Sequence, residues 1–478
     1  MPFWVTRVTV CRLKVHLRAS LTRKPTGRVG CGSIGVSIAA RRLLVAIYLP
    51  LALAAVAYSG LFAFRDQLKV GDAATLLADQ KQKFEADTVA PKLGARPLVF
   101  IDYDHATMHS LGQPATIPHS SMAVLLEQAG RMRPWAVILD VDPSWSACAQ
   151  ACGALVAAIA DLADSGTLVL IQRGLLQSAK GELPRLRPTS LDAALKQKPR
   201  VLWVSNRLVP SGDGIVRREQ PWSVACLGNE AHALPAPSVA LWSAQQGQLT
   251  ELLAFLRVEA AKGAAACVSP GNAAPYRPDG QLPGTNSGYR AVGQIRYTLS
   301  WEPKSVDIIS SPGTEGPQLR VVPAWRLLDR QASLGPQVAR GAVVIIGSSA
   351  PDRLDIVTTP LGEMPGAIEL ANSVRAKLEF GPGRQTPFWS GLFLVIGMTS
   401  LSIAATFAAV TYLPPMWRKF GDLFVPFGIA MASWLVLMAV DASSAALPLV
   451  LQQFIVSLIV RLVLSEPPPS FASGRTTA

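Results

Sequence analysis

Charged residues are scarce in this sequence of 478 residues: they make up 16% of it, whereas hydrophobic residues make up 50%. A typical soluble domain carries about 25% charged residues. The balance is too apolar for an ordinary soluble protein and predicts a membrane protein. The sequence also lacks a GxxxxGK[ST] phosphate-binding loop and the HExxH and GxSxG motifs. We therefore expect neither an enzyme nor a bound cofactor.

Acidic residues are absent from the first 42 positions, which hold nine basic residues. The formal net charge of the whole chain is +13, so the remaining residues carry only +4. The basic balance thus belongs to one arm, residues 1–42, and not to a nucleic-acid-binding face. We expect this arm to contact anionic membrane lipids, and we expect no nucleic-acid partner.

Long uncharged runs lie near both ends of the chain. Residues 43–64 form a run of 22 residues without a charge, enough to cross roughly 30 Å of hydrocarbon as a helix. The alternative for this run is a cleaved signal peptide, but its apolar core is longer than the 7 to 15 residues typical of such signals. Three further transmembrane helices are predicted at 387–413, 423–440 and 442–460.

Basic residues also set the predicted orientation. Lys and Arg are concentrated before the first span, and Arg418 and Lys419 follow the second. The positive-inside rule then places the arm and a tail at 461–478 in the cytoplasm. We therefore expect a multi-pass protein of the cell inner membrane, with residues 65–386 as a periplasmic, extracytoplasmic (external) region.

The external region carries the pattern of an α/β domain. Short apolar runs typical of buried parallel strands occur in five places: 97–101, 136–139, 167–171, 200–204 and 342–346. Residues 120–131 lie between the first two runs and have apolar residues at helical spacing. We therefore predict an α/β layer architecture. Residues 260–288, rich in Ala, Gly, Pro and Asn, are interpreted as a surface insertion.

Four of the six cysteines fall in the external region, where an oxidising compartment favours two disulfides. Three pairings are open, and we favour Cys148 with Cys152 and Cys226 with Cys267. The alternative is four buried free thiols.

Several short segments of the external region occur in an order that resembles the second class of CHASE domains, which are extracellular sensory domains associated with cyclases and histidine kinases. The resemblance covers most of 96–376. The predicted arrangement of one span before the domain and three spans after it also resembles that of the family. Its segments are Val99 to Asp102, Leu111-Gly112, Ala136 to Asp140, Asn206, Asp213 to Arg217, Pro237 to Leu241, Ile295 to Tyr297, Val343 to Ala350, Thr359 to Gly362 and Met364 to Gly366.

The sequence departs from this family in two respects. The family usually carries a His before an Ala-Asn pair, whereas here the run is Glu369-Leu370-Ala371-Asn372. The family also usually continues into a cyclase, kinase or diguanylate-cyclase domain, which this sequence does not contain. The resemblance therefore implies a sensor without an output domain of its own.

Acidic residues follow two of the predicted strands. Ligands of open α/β sheets usually bind at the carboxyl ends of the strands, so these carboxylates are candidate ligand-binding residues for a cation or an amine. The candidates are Asp102, Asp104, Asp140 and Asp142, joined by Asp352 or Asp355. The alternative is that each acid caps a helix or a turn. His105 and His109 are four positions apart, but no third ligand accompanies them, and we predict no metal site.

These features lead to a predicted function. We expect a receptor-like membrane sensor whose external domain recognises a signal and passes it to a separate membrane or cytoplasmic partner protein. The alternative is a structural or accessory membrane subunit whose external domain docks an envelope protein. A homo-oligomer is compatible with either function.

Overall fold

The computed structural model describes much of the external region. The described residues are 96–145, 151–178, 182–211, 213–268, 295–301, 308–309, 319–329, 340–350 and 355–381, with the single positions 79, 82, 83, 276, 282, 283, 397, 400 and 404. The arm, the tail and the predicted spans at 43–64, 423–440 and 442–460 lie outside the described residues, as does almost all of 387–413. Within the described residues, no helix is both long and apolar enough to cross a membrane.

A seven-stranded sheet lies at the centre of the described residues, in the order β11-β12-β1-β13-β2-β3-β6. Its strands are β1 (Leu98–Asp102), β2 (Ala136–Leu139), β3 (Leu168–Gln172), β6 (Val201–Val204), β11 (Ile308–Ile309), β12 (Leu319–Pro323) and β13 (Val343–Gly347). All neighbours are parallel except β11, which pairs antiparallel with β12 at the edge. The five predicted strands all lie in this sheet, and the α/β class is confirmed.

Helices cover both faces of the sheet. Successive side chains of a strand point to opposite faces, and here both faces are apolar. In β1, Val99 and Ile101 belong to one apolar core, and Leu98 and Phe100 to the other. The first core is completed by α1 (His105–Ser110), α2 (His119–Arg131), α3 (Ala151–Asp164), α4 (Leu191–Leu195) and α7 (Ala324–Leu328). The second is completed by α5 (Pro237–Gln245), α8 (Gly366–Phe380) and residues 295–301.

The predicted helix at 120–131 is confirmed as α2. Met122, Leu125, Leu126 and Ala129 are fully or almost fully buried, at the i, i+3, i+4, i+7 spacing that makes one face of a helix apolar. This face packs on α3 and on the first face of the sheet.

A smaller four-stranded sheet forms a separate layer with a long helix. Its order is β10-β9-β5-β4, and its strands are β4 (Leu175–Leu176), β5 (Arg185–Leu186), β9 (Trp222–Leu227) and β10 (Glu230–Pro235). The helix α6 (Leu249–Val268) packs on β9 and β10. The disulfide between Cys226 and Cys267 joins β9 to the end of this helix and confirms that pairing. Cys152 is also disulfide-bonded, but its expected partner Cys148 lies outside the described residues, and that pairing stays a prediction.

The interpretation of 260–288 as a surface insertion is wrong at its start. Residues 260–268 are the second half of α6, and Gly263 and Cys267 are buried in it. A Cβ on Gly263 would lie 2.7 Å from Val224 Cγ1 of β9, so the glycine allows the helix to approach the strand closely. The Ala-rich composition hides this helix because its buried face is made of small residues and not of a regular apolar stripe.

Two hairpins complete the fold. The strands β7 (Leu208–Pro210) and β8 (Val216–Glu219) form one, and β14 (Ile356–Thr359) and β15 (Gly362–Pro365) form the other. β8 supplies Arg217 and Glu219 to the interior, and β15 runs directly into α8.

Candidate functional site

The candidate site lies where the central strands of the large sheet end. The register pairs Asp102 of β1 with Gly347 of β13, and Ile346 of β13 with Leu139, the residue before Asp140. Gly347 therefore lies between Asp102 and Asp140, which are at the ends of the two strands on either side of β13. Asp102, Gly347 and Asp140 all continue the side-chain alternation of the face that α8 covers.

Gly347 also lets α8 approach this end of the sheet. A Cβ at this position would lie 3.0 Å from Ala367 Cβ in the first turn of α8 and 3.3 Å from Asp140 Cβ. Both distances are tighter than ordinary van der Waals contacts. The missing side chain thus lets the start of α8 lie against the end of β13, next to Asp140.

Asp102 is almost completely buried and is held by Ser349. Ser349 donates two hydrogen bonds to its carboxylate, from its backbone N–H at 2.8 Å and from Oγ at 2.6 Å. Burial raises the pKa of Asp102 to about 7, although the bonds from Ser349 favour the charged form. This acid is therefore part of a closed local network.

Asp140 and Asp355 form the open part of the site. Asp140 is partly exposed, and Asp355 is exposed as a residue, but its carboxylate turns inward over the start of α8: a Cβ on Gly366 would lie 2.5 Å from either of its oxygens. Burial raises the pKa of Asp355 to about 6. Burial, and then the charge of Asp355, raises the pKa of Asp140 well above its ordinary value. The two acids thus repel each other when both are ionised.

Glu369 brings a third carboxylate to the same place from the first turn of α8, where it is fully buried. Asn206 Nδ2 donates a hydrogen bond of 3.1 Å to Glu369 Oε2. The other carboxylate oxygen, Oε1, and the Oδ1 atom of Asn206 are buried and have no hydrogen-bond partner. Burial raises the pKa of Glu369 well above its ordinary value, and the charges of Glu219, Asp140 and Asp355 raise it further.

Glu219 lies next to this cluster and is fully satisfied. Ser238 of α5 and Ser373 of α8 each donate a short hydrogen bond to its carboxylate. Lys377 Nζ lies 3.5 Å from Glu219 Oε1, and both side chains are buried. Burial lowers the pKa of Lys377, whereas Glu219 acts to raise it. Glu219 and Lys377 are therefore a structural ion pair that joins β8 to α8.

Arg217 links the same strand to a segment far away in the sequence. Its Nε and Nη2 atoms donate hydrogen bonds of 3.0 Å and 2.7 Å to the two carboxylate oxygens of Asp79. Its Nη1 and Nη2 atoms also donate bonds of 2.9 Å and 2.7 Å to Asp213. These contacts raise the pKa of Arg217, against the effect of burial. We call this set of three residues the Arg217 clasp.

The remaining sequence candidates have local structural contacts. Asp104 caps α1 by accepting hydrogen bonds from the N–H and Oγ1 of Thr107 at 2.7 Å and 2.5 Å. Asp142 accepts bonds from the backbone N–H groups of Ser144 and Gly174 at 2.8 Å and 2.9 Å. For both acids the geometry corresponds to the capping alternative. Asp352 lies outside the described residues.

The two histidines considered as metal ligands, His105 and His109, are exposed. In the described part of the chain, no group of three or more His, Cys, Asp or Glu residues is arranged to hold a metal ion.

Four functional candidates were missed by reasoning from the sequence: Glu369, Glu219, Arg217 and Asn206 had no assigned role. Two signals were available. Glu369 is an acid within an otherwise apolar and small-residue segment, and Arg217 alternates with the apolar Val216 in a short strand.

The chain was compared with known proteins at three levels. The model of the CHASE2 domain family matches residues 50–407, roughly three quarters of the chain. No curated protein and no solved structure gives a significant match.

Proposed function

We propose a sensory function because this chain belongs to the CHASE2 domain family, whose members are extracellular sensory domains of membrane proteins. In this proposal the region 65–386 recognises a signal outside the membrane, and predicted transmembrane helices pass it to a partner protein on the cytoplasmic side. We assign no catalytic role to the chain.

The position of α8 supports a route from the site towards the membrane. The helix begins at Gly366, against the carboxylate of Asp355, and carries Glu369 in its first turn. It ends at Phe380, a few residues before the predicted span at 387–413. A helix of 15 residues is about 22 Å long, and its backbone hydrogen bonds connect its first turn to its last. Ligand contacts at its first turn would therefore change the position of its last turn.

The Arg217 clasp supports a second route. Asp79 follows the predicted first span at 43–64 and is held by Arg217 through both carboxylate oxygens. Arg217 is two residues from Glu219 in β8, and Glu219 contacts α8 through Ser373 and Lys377. Because Asp79 and Arg217 are both buried, this ion pair is screened little by salt and holds its geometry. The segments next to both predicted spans thus contact one buried network.

The proposal is tested by breaking the clasp and measuring the cytoplasmic side of the membrane. Arg42→Cys and Arg418→Cys place one thiol at the predicted cytoplasmic end of each of the first two spans, in a chain with Cys11→Ser and Cys31→Ser. We expect Arg217→Ala to change the rate of oxidative cross-linking between the two thiols several-fold. The matched control is Arg218→Ala, since Arg218 is the next residue of β8 and is exposed.

Two further observations make the result decisive. Arg217→Lys keeps the positive charge but not the paired hydrogen bonds, so its cross-linking rate should lie between those of the parent and Arg217→Ala. If Arg217→Ala fails to fold, the rate of Arg217→Lys should still differ from that of the parent. Reporter fusions after Pro210 and Pro415 should be active outside and inside the membrane, respectively. A cross-linking rate that is the same in folded Arg217 and Arg218 variants would contradict the relay and favour an anchored accessory subunit.

A further inference from the structure

Three buried polar atoms without partners lie around the start of α8. Glu369 Oε1, Asn206 Oδ1 and the Tyr297 hydroxyl are buried and make no hydrogen bond. Asn206 bonds the other oxygen of Glu369. Tyr297 belongs to the same apolar core as Ala367 and Ile368 in the first turn of α8. A buried polar atom left unsatisfied costs about 1–3 kcal/mol. A ligand that supplies hydrogen-bond donors here would remove that cost.

Most of the charged groups around these atoms are acidic. Burial raises the pKa of Asp140, Asp355 and Glu369. The charge of Asp355 raises the pKa of Asp140 further, and the charges of Glu219, Asp140 and Asp355 raise that of Glu369. The nearest described cations are engaged elsewhere: Lys377 contacts Glu219, and Arg217 contacts Asp79 and Asp213. Within the described residues, no Lys, Arg or His forms an ion pair with any of these three acids. The site therefore has an excess of acceptors and of negative charge.

We propose that this site binds a small primary ammonium compound, whose three N–H groups donate to Glu369 Oε1, to Asn206 Oδ1 and to the carboxylate of Asp140. The carboxylate of Asp355 adds negative charge beside it. The proposal rests on the sensory function proposed above and gives the chemical class of its signal. Asp140 is partly exposed and Asp355 is exposed, so the ligand enters from that side.

Two features favour an ammonium group over a metal ion. Among the described residues, no group of three or more His, Cys, Asp or Glu residues is arranged to hold a metal ion. An ammonium group needs one acceptor for each of its three N–H groups, and the unpaired amide oxygen of Asn206 can be one of them. The neighbouring acid, Glu219, already pairs with an ammonium group in this fold, that of Lys377. The three acids at the start of α8 offer the same chemistry to a group that comes from outside the chain.

Thermal unfolding of the full-length protein in lipid nanodiscs at pH 8 tests the proposal. Methylammonium chloride is the probe, and tetramethylammonium chloride, with the same charge and no N–H group, is its chemical control at equal ionic strength. We expect methylammonium to raise the Tm by about 5 °C or more at a hundredfold excess over its Kd, because it binds only the native state. Tetramethylammonium should give no comparable shift.

Variants identify the site. Asp140→Asn and Glu369→Gln should abolish the methylammonium shift while keeping or raising the starting Tm, since each removes a repelling charge. Asp164→Asn should keep the full shift, because Asp164 is a surface acid at the end of α3, paired with Lys198. No methylammonium shift, an equal shift with tetramethylammonium, or a shift that survives in both site variants would overturn the proposal.

A shift caused by CaCl₂ or MgCl₂ and not by methylammonium would also overturn it, in favour of a metal site. The cross-linking test of the relay uses no added ligand. Failure to bind methylammonium therefore leaves the relay unaffected, and failure of the relay leaves methylammonium binding unaffected.

Discussion

The aspartates at the carboxyl end of this sheet differ in how their carboxylates are hydrogen-bonded. Asp104 and Asp142 each accept two bonds from groups within their own turns or from a neighbouring loop. Asp140 has no described hydrogen bond to its carboxylate and faces Asp355 instead. Local hydrogen bonds tie Asp104 and Asp142 to the fold, whereas we assign Asp140 and Asp355 to a ligand.

Asp104 provides a prediction at the scale of one residue. Asp104→Ala removes the cap of α1, which should lower the free energy of unfolding by about 0.5–2 kcal/mol. Asp104→Asn should cost much less, because Asn caps helices about as well as Asp. Chemical denaturation of the full-length protein in detergent measures both variants. Equal stability of the Ala variant and the parent would show that the bonds to Thr107 do not support the helix.

At the scale of elements, α8 connects the parts of the site. It packs on the second face of the sheet, contacts β13 through Ala367 at Gly347, and reaches Glu219 of β8 through Ser373 and Lys377. Two glycines, Gly347 and Gly366, provide the close approach at its start. The start of this helix therefore lies close to the sheet because these two positions have no side chain.

A methyl group at Gly347 should disturb this approach. Gly347→Ala places a Cβ 3.0 Å from Ala367 Cβ and 3.3 Å from Asp140 Cβ, and neither neighbour is a flexible chain end. We expect a loss of about 1–3 kcal/mol in the free energy of unfolding, typical of overpacking. The control is Gly153→Ala in α3, where a Cβ meets nothing within 4 Å and a helical Ala should stabilise by about 0.5–1 kcal/mol. A Gly347 variant as stable as the Gly153 variant would contradict the close packing.

The elements differ in how far the sequence predicts them. The central strands were predictable, because strands buried on both faces, such as β2 and β13, are uninterrupted apolar runs. The second half of α6 was not, because its buried positions include Gly263 and Cys267 without a regular apolar stripe. Asp140 could be placed at a strand end from the sequence. Its approach to Glu369 could not, since it depends on how α8 crosses the sheet.

At the scale of the whole molecule, the distribution of charge has two parts. The basic excess belongs to the arm at 1–42, whereas the described external region brings acids together around the start of α8. Four of these, Asp102, Asp140, Asp355 and Glu369, have pKa values raised mainly by burial. Because all four pKa values are raised, these acids all change the stability of the external region in the same direction as the pH changes near neutrality.

The native state should lose stability as the pH rises from about 5 to 8. The ordinary pKa of an Asp is 3.8, whereas Asp355 titrates at about 6 and Asp102 at about 7 in the fold. Between these values the native state binds more protons than the unfolded chain, so the free energy of unfolding falls with rising pH. The pKa of Asp213 is lowered, so this group changes the free energy of unfolding only near and below pH 4. The pKa of Lys377 is lowered from 10.5, so this group makes the free energy of unfolding rise as the pH approaches 10.5.

The Tm of the full-length protein in nanodiscs should therefore fall by several degrees between pH 5 and pH 8. Asp140→Asn and Glu369→Gln should each reduce this slope, because neither variant has to ionise a buried carboxyl at that position, whereas Asp164→Asn should leave it unchanged. Methylammonium should restore part of the lost Tm at pH 8 in the parent and have little effect at pH 5, where the acids hold their protons. A Tm that is constant or rises across this range would mean that the four acids are ionised in the native state at pH 5.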